Sequence, residues 1–179
     1  RARNDFAGSE LNIEGAAVVD DRLRLFQRGN GAVVDGRAAI NAVGDFELGA
    51  FLRWLDHGGA PPLLVSVTQV DLGDVGGVPF GFTDATALPD GRVVFLAGAE
   101  DSPDTYRDGV VLGARVGLLD GERVVLAEVL GEDGQPTSLK LEGVDFVGFT
   151  SSGGIELVVV ADMDDPDVPS VVASLVWGP

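Results

Sequence analysis

Apolar residues along this chain recur mostly with a period of two, in short runs closed by turn-forming residues. That rhythm predicts strands. Residues 11–19 form a β-branched and small-residue run, and Asp20-Asp21 is a turn signal. Leu23, Leu25 and Gln27 then alternate against Arg22, Arg24 and Arg28, which predicts a strand with a wet arginine face. Gly29-Asn30-Gly31 ends it. A weakly patterned third strand is expected over 37–43 and a fourth over 63–72, where Val65, Val67 and Val70 supply bulk.

Further strands are predicted at 80–88 and 92–98, joined by the turn Pro89-Asp90-Gly91. The second contains Val93-Val94-Phe95-Leu96-Ala97, apolar enough to be buried on both faces. Residues 110–119 and 124–130 flank Asp120-Gly121 and complete a four-strand meander. The last strands are 140–149, 155–161 and 170–177, with no fourth. One stretch has helical spacing. Over 45–57, Leu48, Phe51, Leu52 and Leu55 form a stripe, Asp45 can cap the start, and Gly58 with Pro61-Pro62 closes the end.

The strands group into units of about 10–73, 78–131 and 138–177 within a single domain. Each opens with an acid inside an apolar run: Glu14, Asp84 and Glu142. A residue without bulk follows, Gly15, Ala85 or Gly143, permitting close backbone approach. Repeated four-strand units predict an all-β β-propeller with four-stranded antiparallel blades. The chain would supply about three blades, with one short helix inserted near 45–57. The units exceed the usual blade length of about 40–50 residues.

Charge narrows the partners. Twelve basic against 29 acidic residues give a net charge of −17, which repels phosphate backbones and argues against nucleic-acid binding. It suits metal cations, cationic partners or a solvated surface. No apolar run is long enough for a membrane helix. The absence of cysteine removes disulfides and thiolate sites. No signal-peptide pattern is present, and Arg1 is expected not to be the natural start.

Two sequences carry a resemblance. Leu11-Asn12-Ile13-Glu14-Gly15, echoed by Lys140-Leu141-Glu142-Gly143, resembles the innermost-strand motif of phytase-like and esterase-like β-propellers. The segment GFTDATALPDGRVVFLAGAEDSPDTYRDGVVLGARVG resembles an uncharacterised bacterial branch of that superfamily. The resemblance implies the C-terminal half of a six-bladed ring. It also implies that a missing N-terminal half, or a second copy of the chain, completes the ring. It implies no activity, and phytase chemistry does not transfer, because a histidine-based phosphatase site is lacking.

Three acids converging on a propeller axis need compensation. Glu14, Asp84 and Glu142 are therefore candidate metal ligands, and an all-oxygen set suits calcium. Asn12 and Thr83 would add neutral oxygens. The plainer role for the same acids is to hydrogen-bond backbone amides of neighbouring strands. Glu100, Asp101, Asp104, Thr105, Tyr106 and Asp108 form a second candidate, a loop able to take a cation or substrate at the mouth. Its spacing is not that of an EF-hand. Asp162, Asp164, Asp165 and Asp167 form a similar, blander loop.

The only histidine, His57, fits a helix C-terminus, and Arg28 with Asn30 fits either an anion or the abundant carboxylates. No nucleophile elbow exists, and Gly73-Asp74-Val75-Gly76-Gly77 lacks the lysine and helix of a phosphate loop. Two functions follow as expectations. The first is a binding or scaffold propeller of unknown ligand, with calcium in its channel. The second is a metal-assisted hydrolase using the channel carboxylates.

Overall fold

A computed structural model describes residues 2–101, 109–165 and 167–178. It is an all-β architecture of four antiparallel sheets. The first, sheet A, is a meander of β1 (Ile13–Val19), β2 (Arg22–Gln27), β3 (Ala42–Glu47) and β4 (Ser66–Gln69). A small hairpin follows, β5 (Asp74–Val75) with β6 (Val78–Pro79), inside what the sequence pattern presents as a glycine connection. Sheet B is the meander of β7 (Gly81–Ala87), β8 (Val93–Asp101), β9 (Val110–Asp120) and β10 (Arg123–Glu128). Sheet C has three strands, β11 (Lys140–Phe149), β12 (Ile155–Asp162) and β13 (Val171–Trp177). One meander thus falls in each expected unit.

The sheets stack face to face, and β8 explains why. Period-two alternation sends Val93, Phe95, Ala97 and Ala99 towards sheet A, and Val94 and Leu96 towards sheet C. All six are buried, as an unbroken apolar run between two layers requires. Phe95 meets Phe82 edge-on at 5.0 Å, and Phe82 meets Phe26 at 5.2 Å, joining sheets A and B. Gly117 on β9 leaves the space that the Phe95 ring occupies. Leu141, Ile155, Leu157 and Val159 close the second core between sheets B and C.

The first strands of the three meanders run side by side, β1 against β7 and β7 against β11. Gly15 allows this approach: a Cβ there would lie 3.1 Å from the Ala85 nitrogen. At Gly15 the residue after the acid thus permits the close approach that the pattern requires; at Gly143 the nearest atoms are those of Val160 in the neighbouring β12, at an ordinary 3.4 Å.

Other expectations are corrected. The helical stretch forms α2 (Leu48–His57), ending at Gly58, but Asp45 does not cap it. Asp45 lies in β3 and takes two hydrogen bonds from Arg24, at 2.8 and 3.0 Å; Glu47 holds the cap position. The stripe of α2 buries no residue; the helix meets sheet A through Phe51 against Phe46 and Arg53 beside Glu47. The third strand lies at Ala42–Glu47 rather than 37–43, because Asn41 turns its side chain to Gly29 and Phe80. The expected wet arginine face is wet only at Arg22: Arg24 pairs with Asp45, and Arg28, just past the strand, is buried. A short helix, α1 (Ala2–Ala7), carries no sequence signal and seats Phe6 over Gly44. Among the described residues, no helix is long and apolar enough to cross a membrane.

Candidate functional site

Each first strand carries a bulge near its start, β11 having a second between Phe146 and Gly148, and the first bulges define equivalent positions. The unpaired residue is Glu14 in β1, Thr83 in β7 and Glu142 in β11. Thr83, not Asp84, therefore corresponds to Glu14 and Glu142, and Asp84 stands where the other strands have Gly15 and Gly143. Alignment on the acid is displaced by one residue in the middle unit, which sends the Asp84 side chain in a different direction.

That direction is β11. Asp84 Oδ2 accepts a hydrogen bond from the Val144 N–H at 2.8 Å. Burial raises the Asp84 pKa above the usual range, against the pull of the Val144 and Ala85 amides, and nearby Asp145 adds to the rise. Beside it, Thr83 Oγ1 donates to the Leu141 carbonyl at 2.7 Å and Thr86 Oγ1 to Asp145 at 3.0 Å. Three side chains thus tie sheet B to sheet C along one strand.

Glu14 and Glu142 lie with two cations at one end of the strand row. Arg28, just past β2, is 7% exposed. Its Nη2 donates to Glu100 Oε2 at 2.9 Å, and its Nη1 stands 3.9 Å from Glu14 Oε1. The other Glu100 oxygen accepts from the Gly109 N–H at 2.7 Å. The stem of Arg28 passes over Gly81, where a Cβ would collide with it. Lys140 Nζ donates to Asp164 at 2.9 Å and lies 3.6 Å from Glu142. Burial raises the Glu142 pKa; Lys140 and Arg28 oppose the rise, and Glu14 and Asp164 reinforce it. A cleft of about 630 Å³ opens next to this network, between sheets B and C, with Asp101, Val110, Leu139, Lys140 and Asp162 in its wall.

Glu14 and Glu142 thus share a neighbourhood with Arg28, while Asp84 bonds to a β11 amide. Among the described residues, no group of three acids or histidines is placed to hold a metal ion. Asn12 turns its side chain to Asn30, at 3.1 Å. In the second candidate, Glu100 is the buried partner of Arg28 and Asp101 is exposed at the end of β8. Asp104, Thr105, Tyr106 and Asp108 lie outside the described residues. Asp162 and Asp165 accept hydrogen bonds from the Asp164 and Asp167 amides, ordinary turn work. His57 occupies the last turn of α2 and is exposed.

The roles of Gln27 and Lys140 escape the sequence reading, as does the burial of Arg28, whose pairing with a carboxylate it does offer. Gln27 is fully buried, accepting from the Asn12 N–H and donating to the Glu10 and Arg28 carbonyls. Lys140 stands two positions before Glu142, an available signal for a same-face ion pair. Burial of Arg28 had no such signal, because its partner Glu100 lies 72 residues away.

Over residues 1–176 the chain matches the model of a family of unknown function, DUF6929, and it belongs to that family. No curated protein and no solved structure matches it.

Proposed function

We propose that this member of the DUF6929 family is a binding or scaffold module built as three blades of a β-propeller, akin to the phytase-like and esterase-like rings. The observation that carries the reading is the row of β1, β7 and β11: three first strands side by side, each with a bulge at the equivalent position. Innermost strands around an axis have that relationship. A missing half or a second copy completes the ring.

Compensation within the chain supports binding over metal-assisted hydrolysis. Arg28 and Lys140 supply positive charge beside Glu14, Glu100, Glu142 and Asp164. Asp84 is engaged by an amide instead of facing the other acids. A hydrolase would need those carboxylates around one cation and a water. A panel of phosphate monoesters and carboxylic esters, assayed with added calcium, magnesium or zinc, tests this. No turnover is expected. Turnover that disappears in Glu14→Gln or Glu142→Gln would overturn the binding reading.

A further inference from the structure

The turn that ends β2, Gly29-Asn30-Gly31, holds the one asparagine of the chain that is followed by glycine. Such a pair is chemically labile, because no side chain on the glycine hinders attack by its nitrogen on the asparagine amide. A fold suppresses the reaction by burying the pair or by holding that nitrogen in a hydrogen-bonded ladder. Neither restraint is present: Asn30 is exposed, and among the described residues the Gly31 N–H donates no hydrogen bond.

The neighbours of the pair favour attack. Asn12 Nδ2 donates to Asn30 Oδ1 at 3.1 Å. Negative charge develops on Oδ1 when the Gly31 nitrogen adds to Cγ, so this donor stabilises the adduct. On the other side Glu10 lies against Gly31, where a Cβ would stand 2.7 Å from Glu10 Oε2. A proton acceptor therefore adjoins the attacking residue. Asn41 has the opposite arrangement. It precedes Ala42 at the start of β3, its Oδ1 accepts from the Gly29 N–H and its Nδ2 donates to the Phe80 carbonyl, both at 2.7 Å.

We infer that Asn30 is a site of spontaneous deamidation in the folded protein, assisted by Asn12. The Gly31 nitrogen bonds to Asn30 Cγ, the Cγ–Nδ2 bond breaks, and ammonia leaves with the proton that Gly31 gives up. Water then opens the succinimide. Addition at Cγ yields aspartate, and addition at the main-chain carbonyl carbon yields isoaspartate, with the chain rerouted through the side chain. No oxidant or reductant takes part. Either product carries one more negative charge at neutral pH. That charge lands beside Asn12, whose carbonyl accepts the Arg28 N–H at 2.8 Å, so the change falls at the end of the strand row that holds the Arg28 network.

The folded protein and a capped peptide of residues 27–33 are incubated side by side in warm, mildly alkaline buffer, then digested and mapped by mass spectrometry. Deamidation adds about one dalton, and chromatography separates the isoaspartyl from the aspartyl peptide. Asn30 should convert in the folded protein within about tenfold of the peptide rate, and at least about tenfold faster than Asn12 or Asn41. Asn12→Asp replaces the donor with a carboxylate of the same size and should slow conversion about tenfold, its melting temperature confirming the fold. Asn30 intact in the folded protein while the peptide converts overturns the proposal, as does conversion of Asn41 at the same rate. An unchanged rate in folded Asn12→Asp overturns the role given to Asn12.

Discussion

The Asp84 carboxylate accepts the Val144 N–H at 2.8 Å, from the first strand of one meander to the first strand of the next. An acid that the sequence pattern offers as a channel ligand is instead a clamp between sheets. Asp84→Ala leaves the Val144 amide without this partner and should cost about 1–3 kcal/mol in urea unfolding. Asp84→Asn keeps an acceptor oxygen and removes the charge, so it should be no less stable than the parent at neutral pH.

Asp84 and Glu142 should also make the fold more stable in mild acid. Both folded pKa values are raised, from 3.8 and 4.5, so the folded state binds protons more readily than the unfolded chain. Their contribution is therefore fully present below those values and lost as pH rises through the folded values. Unfolding free energies for parent and Glu142→Gln, measured across that range, should diverge upward in pH, the variant being the more stable at neutral pH. Curves that diverge the other way contradict the assignment.

Arg28 and Glu100 should behave as a buried pair, since 9% and 10% of their side chains are exposed. Removing one partner strands the other charge, so Arg28→Ala and Glu100→Ala should each cost about 3–5 kcal/mol. The double variant should lose much less than the sum, a coupling that a double-mutant cycle measures.

Period-two patterning made β8 and its neighbours legible, because burial on both faces leaves a continuous apolar run at Val93–Ala97. The turns Asp20-Asp21, Pro89-Asp90-Gly91 and Asp120-Gly121 were legible for their local chemistry, and Asp20, Gly91 and Gly121 do have positive φ. Long-range pairing was not. Arg24 with Asp45 and Arg28 with Glu100 take two arginines largely out of solvent, yet neither pairing has a local signature. The bulge at Thr83 was hidden for the same reason, since one extra residue changes register without changing composition.

Gly117 tests the core between sheets A and B. Any Cβ there meets the Phe95 ring, so Gly117→Ala must displace a buried aromatic and should cost about 1–3 kcal/mol. Thermal or urea unfolding measures it, and Gly148→Ala, at a glycine with open space and no positive φ, is the control for glycine replacement.

Calcium should leave the chain's stability unchanged. Arg28 and Lys140 already stand beside the carboxylates, so melting in chelator and in millimolar calcium should coincide. A cation held tightly by the folded state alone would raise the melting temperature with its concentration. Such a rise would restore Glu14, Asp84 and Glu142 as a ligand set.

Small-angle X-ray scattering of the protein in solution, with its mass from light scattering, tests the ring most directly. Three blades completed by a partner half or a second copy should give a compact disc with an axial hole. A monomer whose profile fits an open stack of three sheets, with the outer face of sheet C in solvent, would contradict a ring completed by a second copy of this chain.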